Sequence, residues 1–159
     1  MKKDIFIDTD FAVKKLTNPM SPSCLSFYQW LITKNSNPTH DAFLVLSLKL
    51  IREYSDSCGI YPSLRTGMSV IFDIVTKENR INRVENSQIK DFKKNHYKSK
   101  RLTGRLRCNK NDACFHLPTV MLSDRKYALS LDNNFSHDLN NFPGYTAIAE
   151  NDPSLIPYP

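Results

Sequence analysis

The sequence predicts a single-domain α/β protein, a parallel central sheet flanked by helices in three layers. Three observations lead there. Candidate strands and helices alternate along the chain, and parallel strands need helical crossovers to join them. Residues 42–46 (AFLVL) form an unbroken apolar run of strand length, the pattern of a strand covered on both faces. The 159 residues, 40% hydrophobic and 24% charged, hold no internal repeat and no Pro- or Ser-rich linker, so residues 1–159 are read as one domain with one core.

Residues 4–8 (DIFID) alternate as a short strand, with Ile5 and Ile7 on one side, and give way to the polar Thr9 and Asp10. In residues 22–33, Leu25, Tyr28, Gln29, Leu31 and Ile32 recur at helical spacing, with Ser21 or Ser23 as N-cap. Residues 35–39 (NSNPT) carry turn chemistry. After the strand at 42–46, Ser47 caps a helix whose Leu48, Ile51 and Tyr54 sit three apart, ending near Cys58 and Gly59. Residues 63–77 predict another amphipathic helix, striped by Leu64, Met68, Ile71 and Val75.

Residues 78–88 are polar and weakly patterned, 88–97 are expected to be helical, and 98–108 read as a basic connection bending at Gly104. A helix is expected over 113–122, where Pro118 removes one backbone hydrogen bond and bends or shortens it. Residues 126–131 (KYALSL) predict a strand that stops at Asp132, and 145–149 (YTAIA) the last one. The proline-bearing tail, 152–159, is expected on the surface.

Several classes are excluded. The four glycines, at 59, 67, 104 and 144, are too scattered for a dinucleotide-binding GxGxxG turn or a phosphate-cradling P-loop. The longest apolar run is five residues, against the ~20 of a membrane-spanning helix, and Met1, Lys2 and Lys3 lead into Asp4 rather than into an apolar signal region. Cys24, Cys58, Cys108 and Cys114 form no CxxC pair, which suits reduced thiols in a cytoplasmic protein.

The net charge is +6, with 22 basic and 16 acidic side chains. Nine of the basic ones lie within residues 90–110: Lys90, Lys93, Lys94, Lys98, Lys100, Arg101, Arg105, Arg107 and Lys110, against Asp91 alone. That stretch carries +8, leaving 13 basic and 15 acidic side chains, or −2, on the rest. Such a run is either a solvated basic face or a docking surface for a polyanion, since Lys and Arg that neutralise phosphates release counterions.

The acids fall in a pattern. Asp8 ends the first strand, Asp132 ends a later one, Asp112 starts a helix, and Glu53 lies within the helix after residues 42–46. Sites in open parallel sheets form outside the carboxyl ends of the strands, so Asp8, Asp112 and Asp132 are expected at one edge. Glu53 reaches that edge only if its helix crosses close to it. Gathered carboxylates repel unless a cation is present, and oxygen ligands favour magnesium or manganese. Taken singly, each acid also has an ordinary role: a strand end, a helix cap, a turn, or an ion pair of Glu53 with Lys49 or Arg52.

The chain resembles the PIN-domain nucleases, which include the ribonuclease toxins of bacterial toxin and antitoxin pairs. Ile5-Phe6-Ile7-Asp8-Thr9-Asp10 resembles the family's apolar strand with its first acid. Val45-Leu46-Ser47 followed by Ile51-Arg52-Glu53-Tyr54 is similar to its strand, Ser/Thr and helix bearing the second acid. Asn111-Asp112-Ala113 with His116 resembles the helix start carrying the third, and Ala128-Leu129-Ser130-Leu131-Asp132-Asn133-Asn134-Phe135 the strand ending in the fourth. The chain departs from the pattern in three places: His116 stands one residue late, Pro118 occupies the helix, and Asp124-Arg125-Lys126 stand where a Gly is usual. The basic stretch at 88–110 is a further addition, read as an insert.

The resemblance implies a metal-dependent endoribonuclease of PIN-like three-layer fold, a toxin or defence nuclease, with Asp8, Glu53, Asp112 and Asp132 as ligands to Mg²⁺ or Mn²⁺. Thr9, Asp10 and Ser130 would support those carboxylates, and Lys93, Lys94, Lys98, Lys100, Arg101, Arg105 and Arg107 would hold RNA, DNA not being excluded. A cognate antitoxin and a homodimer are the protein partners the family suggests. The alternative is a PIN-like module that has lost catalysis and binds RNA or a partner. Tyr97, set among the lysines, either stacks on a base or packs internally.

Overall fold

Five parallel strands form the centre of the molecule: β1 (Lys3–Ile7), β2 (Ala42–Ser47), β3 (Ile81–Val84), β4 (Tyr127–Leu129) and β5 (Ile148–Glu150), in spatial order β3-β2-β1-β4-β5. The computed structural model describes residues 2–33, 41–59, 66–98 and 100–158, and not the side chains of Lys100 and Arg101. The turn expected at 35–39, and residues 63–65 of an expected helix with Leu64, lie outside the described residues.

The helices are α1 (Thr9–Lys15), α2 (Pro22–Ile32), α3 (Leu48–Ser57), α4 (Gly67–Lys77), α5 (Asn86–His96), α6 (Lys100–Thr103), α7 (Leu117–Leu122) and α8 (Asn133–Asn140). They fall into two packed groups. α1 lies against α3 and α4, and α2 against α4, whereas α7 lies between α5 and α8. With the sheet between, this is the three-layer α/β/α architecture the sequence predicts. Ile5, Phe6 and Ile7 are all 0% exposed, so Phe6 is as covered as the two isoleucines on the opposite side. Among the described residues no helix is long and apolar enough to cross a membrane, and the four cysteines are free thiols.

Most differences from expectation have local causes. β3 falls in the stretch read as polar, because a four-residue edge strand with Arg83 exposed shows no alternation. Its entry is fixed by the buried Arg80, whose guanidinium donates to the carbonyls of Ala42 (2.8 Å) and Leu31 (2.7 Å) and to Glu78 (2.7 Å). The Thr9-Asp10 step opens α1, which buries Phe11 and Ala12. α8 is begun by Asp132, whose carboxylate accepts from the backbone N–H groups of Asn134 (2.7 Å) and Phe135 (3.1 Å), an N-cap.

Two expectations are corrected. The stretch read as a basic insert begins inside α5, which buries Ile89 and Phe92 and belongs to the crossover from β3 to β4. Only residues beyond it, including α6, form a connection. The tail does not simply lie on the surface: Pro153 and Ile156 are buried, and the Tyr158 hydroxyl donates to the Asp4 carbonyl at 2.9 Å. The Asp4 side chain, 0% exposed, accepts from the backbone N–H groups of Asp124 (2.8 Å) and Arg125 (2.9 Å) and from Asn82 Nδ2.

At the opposite end of β1, the fully buried Tyr54 of α3 donates its hydroxyl to the Ile7 carbonyl. Tyr54→Phe strands that carbonyl without its partner, a loss of about 1–3 kcal/mol. A urea titration should show a lower midpoint with an unchanged slope; an unmoved midpoint would show that the bond contributes nothing.

Candidate functional site

The chain winds outward from β1 to β2 and β3, then returns to place β4 on the other side of β1 and β5 beyond it. The connections leaving β1 and β4 therefore diverge, and a crevice opens at the carboxyl ends of these two neighbours. Asp8 stands at its edge. Its backbone N–H still donates to the Leu129 carbonyl (2.8 Å), but its side chain makes no cap to α1. It accepts instead from Ser130 Oγ at 2.6 Å. Ser130 is buried and its oxygen accepts from the Asp132 backbone N–H at 3.0 Å, which leaves the hydroxyl proton to serve Asp8.

Glu53 comes from α3, which starts directly at the end of β2, where Ser47 Oγ caps Leu50 N–H at 3.3 Å. Anchored by Tyr54, the helix does cross close to the sheet edge. Glu53 Oε2 meets His116 Nε2 at 2.8 Å and Thr9 Oγ1 at 3.3 Å, and Oε1 meets Asn111 Nδ2 at 3.0 Å and Lys49 Nζ at 3.2 Å. Burial pushes this carboxyl up, but the hydrogen bond and charge of His116, with Asn111 and Lys49, outweigh it and hold the value at about 2. Glu53 is thus a firmly ionised counter-charge with both oxygens engaged.

Asp112 lies in a helical run from Lys110 to Leu122 that is π-wound over Asp112–His116. Asn109 starts the run, accepting from the Asp112 N–H (3.0 Å) while its amide donates to Asp112 Oδ2 (2.6 Å). Pro118 explains the wide turn. The Leu117 N–H bonds five residues back to the Asp112 carbonyl; the next bond of that kind would run from residue 118 to the Ala113 carbonyl, and proline has no N–H. The Tyr97 hydroxyl takes that carbonyl instead, at 2.5 Å. Tyr97 is therefore an internal packing residue, held edge-on against Phe92, and not a platform for a base. The same turn buries His116, 1% exposed, over the Phe6 ring; its Nδ1 has no hydrogen-bond partner among the described residues.

Asp8, Thr9, Asp10 and Asp112 share the lining of one cleft of about 460 Å³. Asp10 is paired with Lys14 at 2.8 Å. Asp132 stands beside the cleft, its Oδ1 committed to α8. Burial raises the Asp8 carboxyl, opposed by Ser130. Burial also raises Asp112, to about 6, with the charges of Asp8, Asp132 and Glu53 adding to it and His116 opposing. No Lys or Arg is among the described residues that line the cleft. Among the described residues no three His, Cys, Asp or Glu side chains converge closely enough to cage a metal ion. Magnesium, however, binds characteristically through one or two carboxylates completed by water and substrate phosphate. Asp8 and Asp112, with oxygen donors and surplus negative charge, fit that mode, while Glu53 is turned to His116.

Of the basic residues, Lys93 sits over the Phe115 ring at 5.3 Å, and Lys94, Lys98, Arg105 and Arg107 are exposed; the side chains of Lys100 and Arg101 lie outside the described ones. Lys49 makes the ion pair with Glu53 that the sequence offers as one of that residue's ordinary roles, at 3.2 Å, and Asn111 stands in the motif around Asp112. Asn109 completes the site without having been singled out, its only signal an Asn three residues before Asp112. Comparison with protein-family models, curated proteins and solved structures returns no match.

Asp112 makes the stability of the metal-free protein fall with pH. Its folded value, about 6, lies above the ordinary 3.8, so ionising it opposes folding. The cost is absent below about pH 4, grows through about pH 6, and is complete above. In EDTA at pH 7.5, Asp112→Asn should raise Tm by about 2–4 °C, a solvent-screened effect on the order of 1 kcal/mol, and the gain should vanish at pH 4. A variant that melts lower at pH 7.5 would contradict this.

Proposed function

We propose that the chain is a divalent-cation-dependent phosphodiesterase that cuts RNA, in the manner of the PIN-domain nucleases its acidic motifs resemble. The observation that carries this reading is that Asp8 and Asp112, over a hundred residues apart in sequence, line one cleft at the switch point of the sheet. The basic stretch runs directly into Asp112. A cation-starved pocket beside phosphate-binding side chains suits capture and hydrolysis of a polyanion.

Magnesium or manganese bound at Asp8 and Asp112 would neutralise charge on the phosphodiester and acidify an attacking water. The rest is done by the chain. Ser130 fixes the rotamer of Asp8. Asn109 fixes Asp112. Glu53 and His116 are hydrogen-bonded at 2.8 Å under the cleft and hold the π-turn to α3. Asp132 couples the start of α8 to Ser130 through its backbone. The exposed lysines and arginines bring the strand in, with an affinity that falls as salt rises. A second reading, a module that binds RNA without cutting it, is favoured by Glu53, whose oxygens are both spent on protein partners.

Cleavage of an end-labelled RNA, with and without Mg²⁺ or Mn²⁺, separates the two. Asp8→Asn and Asp132→Asn should each lower the rate by about 10–100-fold or more and leave binding in EDTA unchanged. Asparagine still caps α8 at position 132, so a loss there reports charge rather than folding. Manganese should raise the Tm of the wild type more than that of Asp8→Asn. Wild-type cleavage rates in both variants would overturn the proposal, and salt-sensitive binding without cleavage by the wild type would establish the second reading.

A further inference from the structure

A second cavity, of about 410 Å³, lies at the far end of α8 from Asp132, within the size range of small-ligand sites. Leu102, Leu106 and the buried Phe142 give it apolar walls, and the exposed Arg105 and Asn141 with the half-buried His137 supply polar groups. Asp138 also lines it, but this acid is 4% exposed and already satisfied. Its Oδ2 accepts from the backbone N–H groups of Arg107 (2.7 Å) and Cys108 (2.8 Å), and its Oδ1 lies 3.3 Å from His137 Nδ1. That carboxylate clips the basic connection onto α8 and so builds the cavity between them.

The lining specifies a ligand that is flat and apolar-faced with a negative charge close by. Leucine and phenylalanine walls accept a ring but offer nothing to a sugar or a lysine. An imidazole and a guanidinium present planes on which a base stacks. Lys94, Lys98, Arg105, Arg107 and Lys110 of the same region are exposed and complement a phosphate backbone. His137 and Asn141 stand five and nine residues beyond Asp132, or about 8–14 Å along the helix direction, short enough for one strand to engage both places.

We infer that this cavity receives an unpaired nucleobase of a single-stranded nucleic acid whose backbone follows the basic segment; its choice of ligand class rests on the phosphodiesterase reading above. The base seats against Leu106 and Phe142, and Arg105 meets the adjoining phosphate. The cavity then sets which strands are bound, single over double, because a paired base cannot enter it.

The test is fluorescence anisotropy in EDTA with a labelled ten-nucleotide single strand, as RNA and as DNA, each beside a counterpart with the same backbone and no bases. Wild type should bind the base-bearing strands at least about tenfold more tightly than the abasic ones. Leu106→Trp, which fills the cavity, should abolish that preference while leaving the abasic affinity unchanged. His137→Ala, at a half-exposed position, should weaken it if the first variant misfolds by circular dichroism. Equal binding of abasic and base-bearing strands by the wild type, or a preference untouched by either variant, would overturn the inference. So would a labelled polyglutamate peptide that loses affinity on Leu106→Trp while the strands do not, which would give the cavity to a protein partner. Because the measurement needs no cleavage, base-dependent binding in a protein that never cuts RNA would overturn the phosphodiesterase reading alone, and cleavage without base preference would overturn the cavity alone.

Discussion

β1 is bonded on both edges, to β2 and to β4, and covered on both faces. Such a strand has no exposed flank on which a polar side chain can meet water, so its polar groups must be satisfied internally or emerge at an end. Both solutions are present. At its start, the Asp4 carboxylate collects two backbone N–H groups and Asn82. At its finish, the Ile7 carbonyl is met by Tyr54, and Asp8 emerges beside Ser130. The elements around the cleft take their positions from these two ends.

The central layer was legible because two-sided burial writes a continuous apolar signal, as in residues 42–46, and because Ser47 is followed at once by helical spacing. The short edge strand β3 left no such trace: it has four residues, too few for a period to show. The last strand, expected at 145–149, is found as β5 at Ile148–Glu150. α1 and α8 were hidden for another reason: Asp8 and Asp132 each end a strand and begin a helix, and their role at the strand end drew attention from the helix behind it.

The acids of the site were legible as types and in order, since carboxylates at strand ends are rare enough to notice. Their division of labour was not. Asp8 and Asp112 face a shared cleft, whereas Glu53 is drawn to His116, a contact across 63 residues that no local spacing encodes. The basic stretch was read correctly as a charge feature and incorrectly as an insert, because charge counting is blind to the Ile89 and Phe92 face by which α5 joins the core. A net charge of +6 conceals a separation: cations on one connection, and the carboxylates of Asp8, Asp10 and Asp112 in the cleft that it borders.

The π-turn at Asp112–His116 holds one residue more than an α-turn would, and Pro118 together with Tyr97 keeps it that way. With one residue of 113–115 removed, the Leu117 N–H would meet the Asp112 carbonyl four residues back, as an ordinary α-helical bond, and Asp112 would keep about its present facing relative to α7. The helix can absorb one residue of length at this turn, so the register of the site is held by the bond that closes the turn rather than by the number of residues inside it.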